Sequence, residues 1–350
     1  MNGQQATDGV RVTLLAPGEE PAWDRFVAHC PEATFFHRAG WKRILEQAFG
    51  HATHYLLARR GEAIQGVLPL AQVRSLLFGH ALVSTPFCVY GGAAALDEES
   101  RHALEAHAEQ LALRLNVDWL ECRNLSPRRE EWGSKALYYT FRKPIVADPQ
   151  ANLAAIPRKQ RAEVRRGLQH GLTGVQDDDI AGRCFDIYSE SVRNLGTPVF
   201  TRALFTLLKE QFGADCEGWR VERQGRSVAA VVSFYFRDQV LPYYGGGLPE
   251  ARSCGALAFL YWDLMTHAAA RGARLFDFGR SKAGSGSFDF KKYYGFTPEP
   301  LHYRYRLVRA SSLPEVNPMN PKYRYFIRMW KRLPLPVAET IGPWLARSLG

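Results

Sequence analysis

The chain has no apolar run approaching the roughly 20 residues that a bilayer-spanning helix needs; its longest, Val228 to Phe236, is interrupted by Ser233. The opening residues MNGQQATDGV lack the basic and apolar regions of a secretory signal, so a cytoplasmic protein is expected. The six cysteines stand singly, without a Cys-x-x-Cys pair, which argues against a zinc ribbon and for reduced thiols filling a core. His51 and His54 form a His-x-x-His step without the glutamate of a zinc helix, and no metal site is expected. No Ser/His/Asp arrangement and no thiol with an evident base partner is present, so a covalent enzyme intermediate is not expected. Nor does Gly284-Ser285-Gly286 close on Gly-Lys-Ser/Thr and a helix as a P-loop would; it leads into Phe-Asp-Phe-Lys.

What is present is ordinary globular material, 46% hydrophobic and 23% charged, in 350 residues. That length suits two domains of roughly 150 to 175 residues better than one core. The net charge of +10 is localised: Arg158, Lys159, Arg161, Arg165 and Arg166 against Glu163 contribute +4, and Lys322, Arg324, Arg328, Lys331 and Arg332, with no acid among them, contribute +5. Two short segments therefore hold most of the excess, which points to local anion sites and away from a DNA-binding coat. The first is a helix over Pro157 to His170, with Pro157 at its first position and Arg158, Arg161 and Arg165 on one face. The second mixes its bases with Tyr323, Tyr325, Phe326, Met329 and Trp330, and either docks on the protein or lies on an anionic membrane.

Taken in order, the chain repeats itself. Helical spacing at Trp23–Val27 and Trp41–Phe49 precedes a β-rich stretch (55–58, 64–70, 81–90), a helix over 98–115 and a strand over 118–122 ending at Arg123. The segment 219–280 has the same layout. Tyr55 and Trp219 each stand six residues before a glycine, Gly61 and Gly225, and Val67 and Val231 each stand six after it. Tyr90-Gly91-Gly92 is echoed by Tyr244-Gly245-Gly246, a helix follows each, and the strands after them end in Arg123 and Arg280. A tandem α+β duplication is the expected architecture, with a further strand over 138–146 between the halves. His37, alone near an apolar helix start, is expected to be structural.

The stretch Leu275–Phe296 is the one unduplicated part with chemistry. A strand delivers Arg280 to its tip, a Gly/Ser loop follows, and Phe288 and Phe290 flank Asp289 before Lys291-Lys292. Glycines there free backbone N–H groups to turn toward an anion or carbonyl oxygen.

The repeated layout, the basic helix opening the second half, and the close Phe290-Lys291-Lys292-Tyr293-Tyr294-Gly295-Phe296 resemble the Fem-type peptidyltransferases over residues 20 to 310. The Trp-Lys-Arg-Leu-Pro-Leu-Pro segment at 330–336 looks closest to the FemAB-related branch associated with exosortase and exopolysaccharide loci. The resemblance implies an α+β fold of tandem GNAT-like halves, each a mostly antiparallel twisted sheet flanked by helices: 1–150, 151–310, and a basic appendix over 311–350. It implies an acyltransferase moving an acyl group from aminoacyl-tRNA or acyl-CoA to an amine of a phosphate-bearing or saccharide acceptor in cell-envelope or exopolysaccharide biogenesis. No tightly bound cofactor is implied. It places the functional lysine on Lys291. The acyl-CoA signature position reads Arg252-Ser253-Cys254-Gly255-Ala256-Leu257, with leucine where a small residue is usual.

The chemistry asks for orientation and for stabilisation of an oxyanion. Lys291 with backbone donors at Ser285–Ser287 is expected to supply the latter, and Asp289 or Asp277 the base. Arg158, Arg161, Arg165, Arg252, Arg280 and Lys292 are expected to bind substrate phosphate, with Tyr244, Ser285 and Tyr294 completing the contacts. The expected partners are a phosphate-bearing donor or acceptor, tRNA and the inner membrane face. The alternative is a non-catalytic RNA- or membrane-associated assembly factor that uses only the basic helix and tail.

Overall fold

A computed structural model of the protein describes residues 9–75, 79–314 and 321–348. The chain opens with β1 (Arg11–Leu14), α1 (Glu20–His29), α2 (Gly40–Gln47), β2 (Thr53–Arg60), β3 (Ala63–Ser75), β4 (Gly79–Ser84), β5 (Ala94–Ala95), α3 (Glu98–Arg114), β6 (Trp119–Asn124) and β7 (Gly133–Ser134). It continues through β8 (Tyr138–Pro144), α4 (Pro149–Ala154), α5 (Arg158–Gln169), β9 (Thr173–Asp177), α6 (Phe185–Leu195), α7 (Arg202–Phe212), β10 (Cys216–Arg223), β11 (Arg226–Phe236), β12 (Gln239–Gly247) and α8 (Ala256–Ala270). The last elements are β13 (Leu275–Asp277), β14 (Ser281–Lys282), α9 (Gly286–Tyr293), β15 (Pro298–Pro300), β16 (His302–Leu307), α10 (Pro321–Trp330) and α11 (Leu335–Ala346). No helix among the described residues is long and apolar enough to cross a membrane.

Two mixed sheets result, each eight-stranded among the described residues: β1-β2-β3-β4-β6-β16-β7 with β5 on β3, and β14-β8-β13-β12-β11-β10-β9 with β15 on β8. Each repeats one plan. A long antiparallel hairpin leads to a third strand, a helix crosses over, and the next strand pairs in parallel with the third, β4 with β6 and β12 with β13. Parallel neighbours require such a crossover, and α3 and α8 supply it. The hairpin bulges superpose the halves: Gln65 is the extra residue between Ala58↔Gly66 and Arg59↔Ile64, and Val228 between Val221↔Ala229 and Glu222↔Ser227. The shift is 163 residues, one less than the glycine spacing, because Gly61 stands first in its turn and Gly225 second.

The halves do not divide the chain where expected. Among the described residues, one compact unit comprises 9–136, 301–314 and 348, the other 137–300 and 321–347. β8 follows the first half in sequence yet lies antiparallel to β13 in the second sheet, and β16 follows the second half yet lies antiparallel to β6 in the first. β13 is therefore an interior strand, not the last of its sheet. The strand partner was not readable because a short apolar alternation marks a strand without naming its neighbour. The appendix expected over 311–350 is divided in the same way, with α10 and α11 inside the second unit.

In the second unit α8 lies in the centre of the core, with Phe259, Leu260, Leu264 and Met265 buried among Val221, Val231, Val240 and Phe276. In the first, Leu104, Ala108 and Ala112 of α3 pack on Leu56, Leu68, Leu82 and Leu120.

Candidate functional site

In the second unit the parallel ladder between β12 and β13 holds for two pairs, Gln239↔Leu275 and Val240↔Phe276. Beyond them the strands part. β12 is bulged there, Tyr243 being the extra residue between Val232↔Tyr244 and Ser233↔Pro242, and it ends in Gly245-Gly246-Gly247. Of these, Gly246 admits α6: a Cβ on it would stand 2.3 Å from the Ser191 side chain. At the C-terminal edge of the split, the turn Pro249–Arg252 leads through Gly255 (φ +70°) into α8. α8 has no side-chain cap, so its first N–H groups face this edge with the positive end of the helix dipole.

The basic helix α5 flanks this turn. Pro157 stands at its N-cap, one residue before the position expected from sequence. A Cβ on Gly255 would stand 2.4 Å from the Glu163 carbonyl, and one on Gly167 2.8 Å from Phe259 Cβ, so glycines on both helices permit the contact. Arg166 pairs with Glu163 and donates to the Arg252 carbonyl at 3.0 Å. Arg158 and Arg165 are exposed, while Arg161 is half-buried and donates from Nε to the Ile156 carbonyl at 3.1 Å. The candidate site thus gathers Arg252, Arg166 and the α8 N-terminus; Arg166 stood in the basic segment and Gly255 in the signature stretch, while Gly279 was not singled out in the sequence as a site residue.

The other wall is the end of β13. Gly279 (φ +63°) turns the chain, and Asp277 Oδ1, buried, accepts from Gly279 N at 2.7 Å and from Thr140 Oγ1 at 3.3 Å. Lys291 Nζ donates to the carbonyls of Phe278, Gly279 and Arg280 at 2.7, 3.0 and 3.1 Å. An ammonium has three donors, and all three are used. Burial pushes the Lys291 pKa down to about 7, with Asp277 opposing the shift and Arg280 adding to it. Its place is therefore that of a pin under the strand-end turn, and the expected oxyanion-binding role is not what the geometry provides.

Several other expected contacts are also redirected. The segment after the Gly/Ser turn is a helix, α9, whose N-cap is Ser285: its hydroxyl accepts from Phe288 N and donates to the Lys282 carbonyl at 2.7 Å. Asp289 and Lys291, two residues apart, point about 200° apart around a helix, so Asp289 is exposed where Lys291 is buried. The pair proposed to share catalysis is separated. Tyr294 is fully buried and donates to the Ala258 carbonyl at 2.8 Å, tying the end of α9 to α8. Tyr244 is buried among the rings of Tyr188, Phe200 and Phe205. Lys292 is exposed, and the Arg280 guanidinium lies 4.7 Å above the Tyr138 ring.

The corresponding place in the first unit is filled. β4 and β6 pair over Ala81–Val83, and the chain leaves β4 at Ser84 and rejoins the sheet only at Ala94. Residues 85–92, expected as strand as far as Tyr90, cross the gap instead. Buried Arg123 donates to Cys88 O and to Glu121 at 2.8 Å each, its own carbonyl accepts from Gly91 N and Gly92 N, and Tyr303 donates to Val89 O at 2.6 Å. His37 Nε2 donates to Gly92 O at 2.8 Å, a structural bond. Register makes Leu120 and Phe276 equivalent, since Leu82↔Leu120 and Val240↔Phe276 are the matching rungs. The counterpart of Arg123 is then Gly279, not Arg280, and a one-residue slip reverses the face.

The second half combines a split parallel pair, a bulged strand and a glycine turn into a central helix, and the first repeats its sheet plan, so the protein is an α+β fold of two GNAT-like halves in tandem. Residues 158–292 match the profile of the acetyltransferase (GNAT) domain family. The fold is similar to that of the crystal structure of FemX, at 13% identity and a TM-score of 0.64 over 85% of this chain and 98% of that one. It is also similar to a tandem GNAT protein from the clavulanic acid biosynthesis pathway (14%, TM-score 0.51, 87% and 100% covered). A third similar structure is the C-terminal domain of a putative lysylphosphatidylglycerol synthetase from Agrobacterium fabrum (13%, TM-score 0.52, 76% and 87% covered). Comparison with curated protein sequences finds no significant match.

Proposed function

We propose that the protein is an acyltransferase that moves an acyl group from an activated thioester or ester donor to an amine, and that the second half does the chemistry. The observation that carries this reading is the parting of β12 and β13 after two rungs, with the uncapped α8 N-terminus at its C-terminal edge. An extended acyl arm fits such a gap between strands. The pyrophosphate of an acyl-CoA is the anion suited to the α8 N–H groups with Arg252 and Arg166 beside them. Leu257, the departure from the usual small residue, turns back toward β12, where a Cβ on Gly247 would meet it at 3.2 Å. It therefore packs on the strand and leaves the turn accessible to the donor.

The amine attacks the acyl carbonyl and charge develops on its oxygen; as the new C–N bond is kept, the C–S or C–O bond to the donor breaks, and the donor thiol or hydroxyl leaves with the proton the amine loses. Lys291 acts by positioning: it fixes the three carbonyls at the end of β13 and so the wall against which the donor lies. The exposed Arg158, Lys159 and Arg165 of α5 suit a phosphate-bearing or saccharide acceptor. The resemblance to the FemAB-related branch associated with exosortase loci supports a role in envelope or exopolysaccharide biogenesis on the cytoplasmic side.

Purified protein with labelled acyl-CoA or aminoacyl-tRNA and candidate amines tests the reading. Transfer from acyl-CoA is expected; transfer from aminoacyl-tRNA alone would move the donor assignment but keep the reaction class. No transfer from either donor, together with salt-sensitive RNA binding, would establish the non-catalytic assembly factor instead.

A further inference from the structure

The tail helices dock through one side only. On the inner side, Trp330, Ala338 and Ala346 are buried, Gly342 lies so close to the Val199 backbone that a Cβ would stand 2.8 Å from it, and Ser189 donates to Glu339 at 2.7 Å. Arg193 donates to the Leu333 carbonyl at 3.4 Å, and a Cβ on Gly196 would stand 2.5 Å from Ile327. The outer side is apolar as well. Val337, Ile341 and Trp344 recur at helical spacing on α11 and are 41%, 42% and 61% exposed, while Tyr325 and Met329 of α10 are 67% and 54% exposed. Among the described residues, thirteen large apolar side chains are exposed, and six of them fall on the two tail helices, within 325–344.

Charge identifies the occupant. From 321 to 350 the sequence has six bases and one acid, and that acid, Glu339, is turned inward to Ser189. Arg328, Lys331 and Arg332 are exposed beside the apolar side chains. We propose that this outer face binds an anionic lipid bilayer, with Val337, Ile341 and Trp344 entering the headgroup–acyl boundary and the bases contacting acidic headgroups. An apolar helix face flanked by uncompensated bases and interfacial aromatics is what such a surface selects. RNA would satisfy the bases and leave the aliphatic stripe of α11 in water.

The test is co-sedimentation of the full-length protein with vesicles of phosphatidylcholine alone or mixed with phosphatidylglycerol. Binding to the mixed vesicles only, weakened as salt rises from about 0.1 M to about 0.5 M, is expected. Neutralising Arg328, Lys331 and Arg332 to Gln should weaken binding roughly 100-fold, and Ile341→Ser with Trp344→Ser should remove it. Unchanged thermal unfolding of both variants keeps the comparison one of surfaces. Equal binding to neutral vesicles, full binding by either variant, RNA binding without vesicle binding, or self-association abolished by Trp344→Ser without vesicle binding would each overturn the proposal.

Discussion

The two halves share a sheet plan and differ at the end of one parallel strand pair. In the first, nine residues separate Ser84 from Ala94, and they cross the gap past β6 under the hold of Arg123. In the second, three residues separate the equivalent Pro242 and Gly246, and the position of Arg123 is taken by Gly279. A longer connection and one large buried side chain occupy, in the first half, the place where the second half has a short bulge and a glycine. In the proposed function the first half is scaffold and the second carries the site, and the difference is local enough to be tested by single substitutions.

The largest expected effect is in the filled half. Arg123→Met leaves Glu121 buried without its partner and should cost about 3–5 kcal/mol in chemical denaturation. Acyl transfer per folded molecule should not change; loss of transfer in the folded fraction would break the contrast between the halves. In the open half, Lys291→Met leaves three carbonyls without their donor and should cost about 2 kcal/mol near neutral pH.

The pH dependence sharpens that second prediction. Lys291 has a folded pKa of about 7 against an ordinary 10.5. Between these values the unfolded chain binds a proton that the folded one does not, so wild-type stability gains on the variant as pH rises through that window and the gain is absent below it. Paired unfolding curves at about pH 6.5 and about pH 9.5 measure it. A constant difference would show that the buried amine stays charged throughout.

Gly279 carries the contrast itself. Gly279→Ala forces a side chain into the left-handed region and should cost about 1–2 kcal/mol, leaving some transfer. Gly279→Arg copies the first half at this register position and should abolish donor binding in a protein that still unfolds cooperatively. The smallest effect is at the helix cap: Ser285→Ala should cost about 1 kcal/mol, measured by denaturation, with a modest loss of transfer as α9 loosens above Lys291.

Much of this was legible in the sequence. Helical periodicity located α1, α2, α3, α5 and α8, and the ordered echoes of glycine, valine and arginine revealed the duplication. The glycine echo nevertheless misplaced the hairpins by one residue, because a tight turn tolerates glycine at either central position. Matching the two strands by their terminal arginines paired Arg123 with Arg280, and only the ladder shows that Gly279 is its counterpart. α9 was hidden because Phe288 and Phe290 alternate as a strand would, yet Ser285 followed by an acid at Asp289 was a usable helix-start signal. The exchange of β8 and β16 is set by tertiary pairing, which short strands do not announce. Lys291 was identified as important by resemblance, but its burial, and hence its work on three backbone carbonyls, depends on the helix that was missed.

Backbone hydrogen exchange of the full-length protein with and without acyl-CoA tests the central claim most directly. The account predicts donor-dependent protection over 241–257 and 275–280, with no change over 81–92 and 119–124. Protection confined to the first half's segments would contradict it.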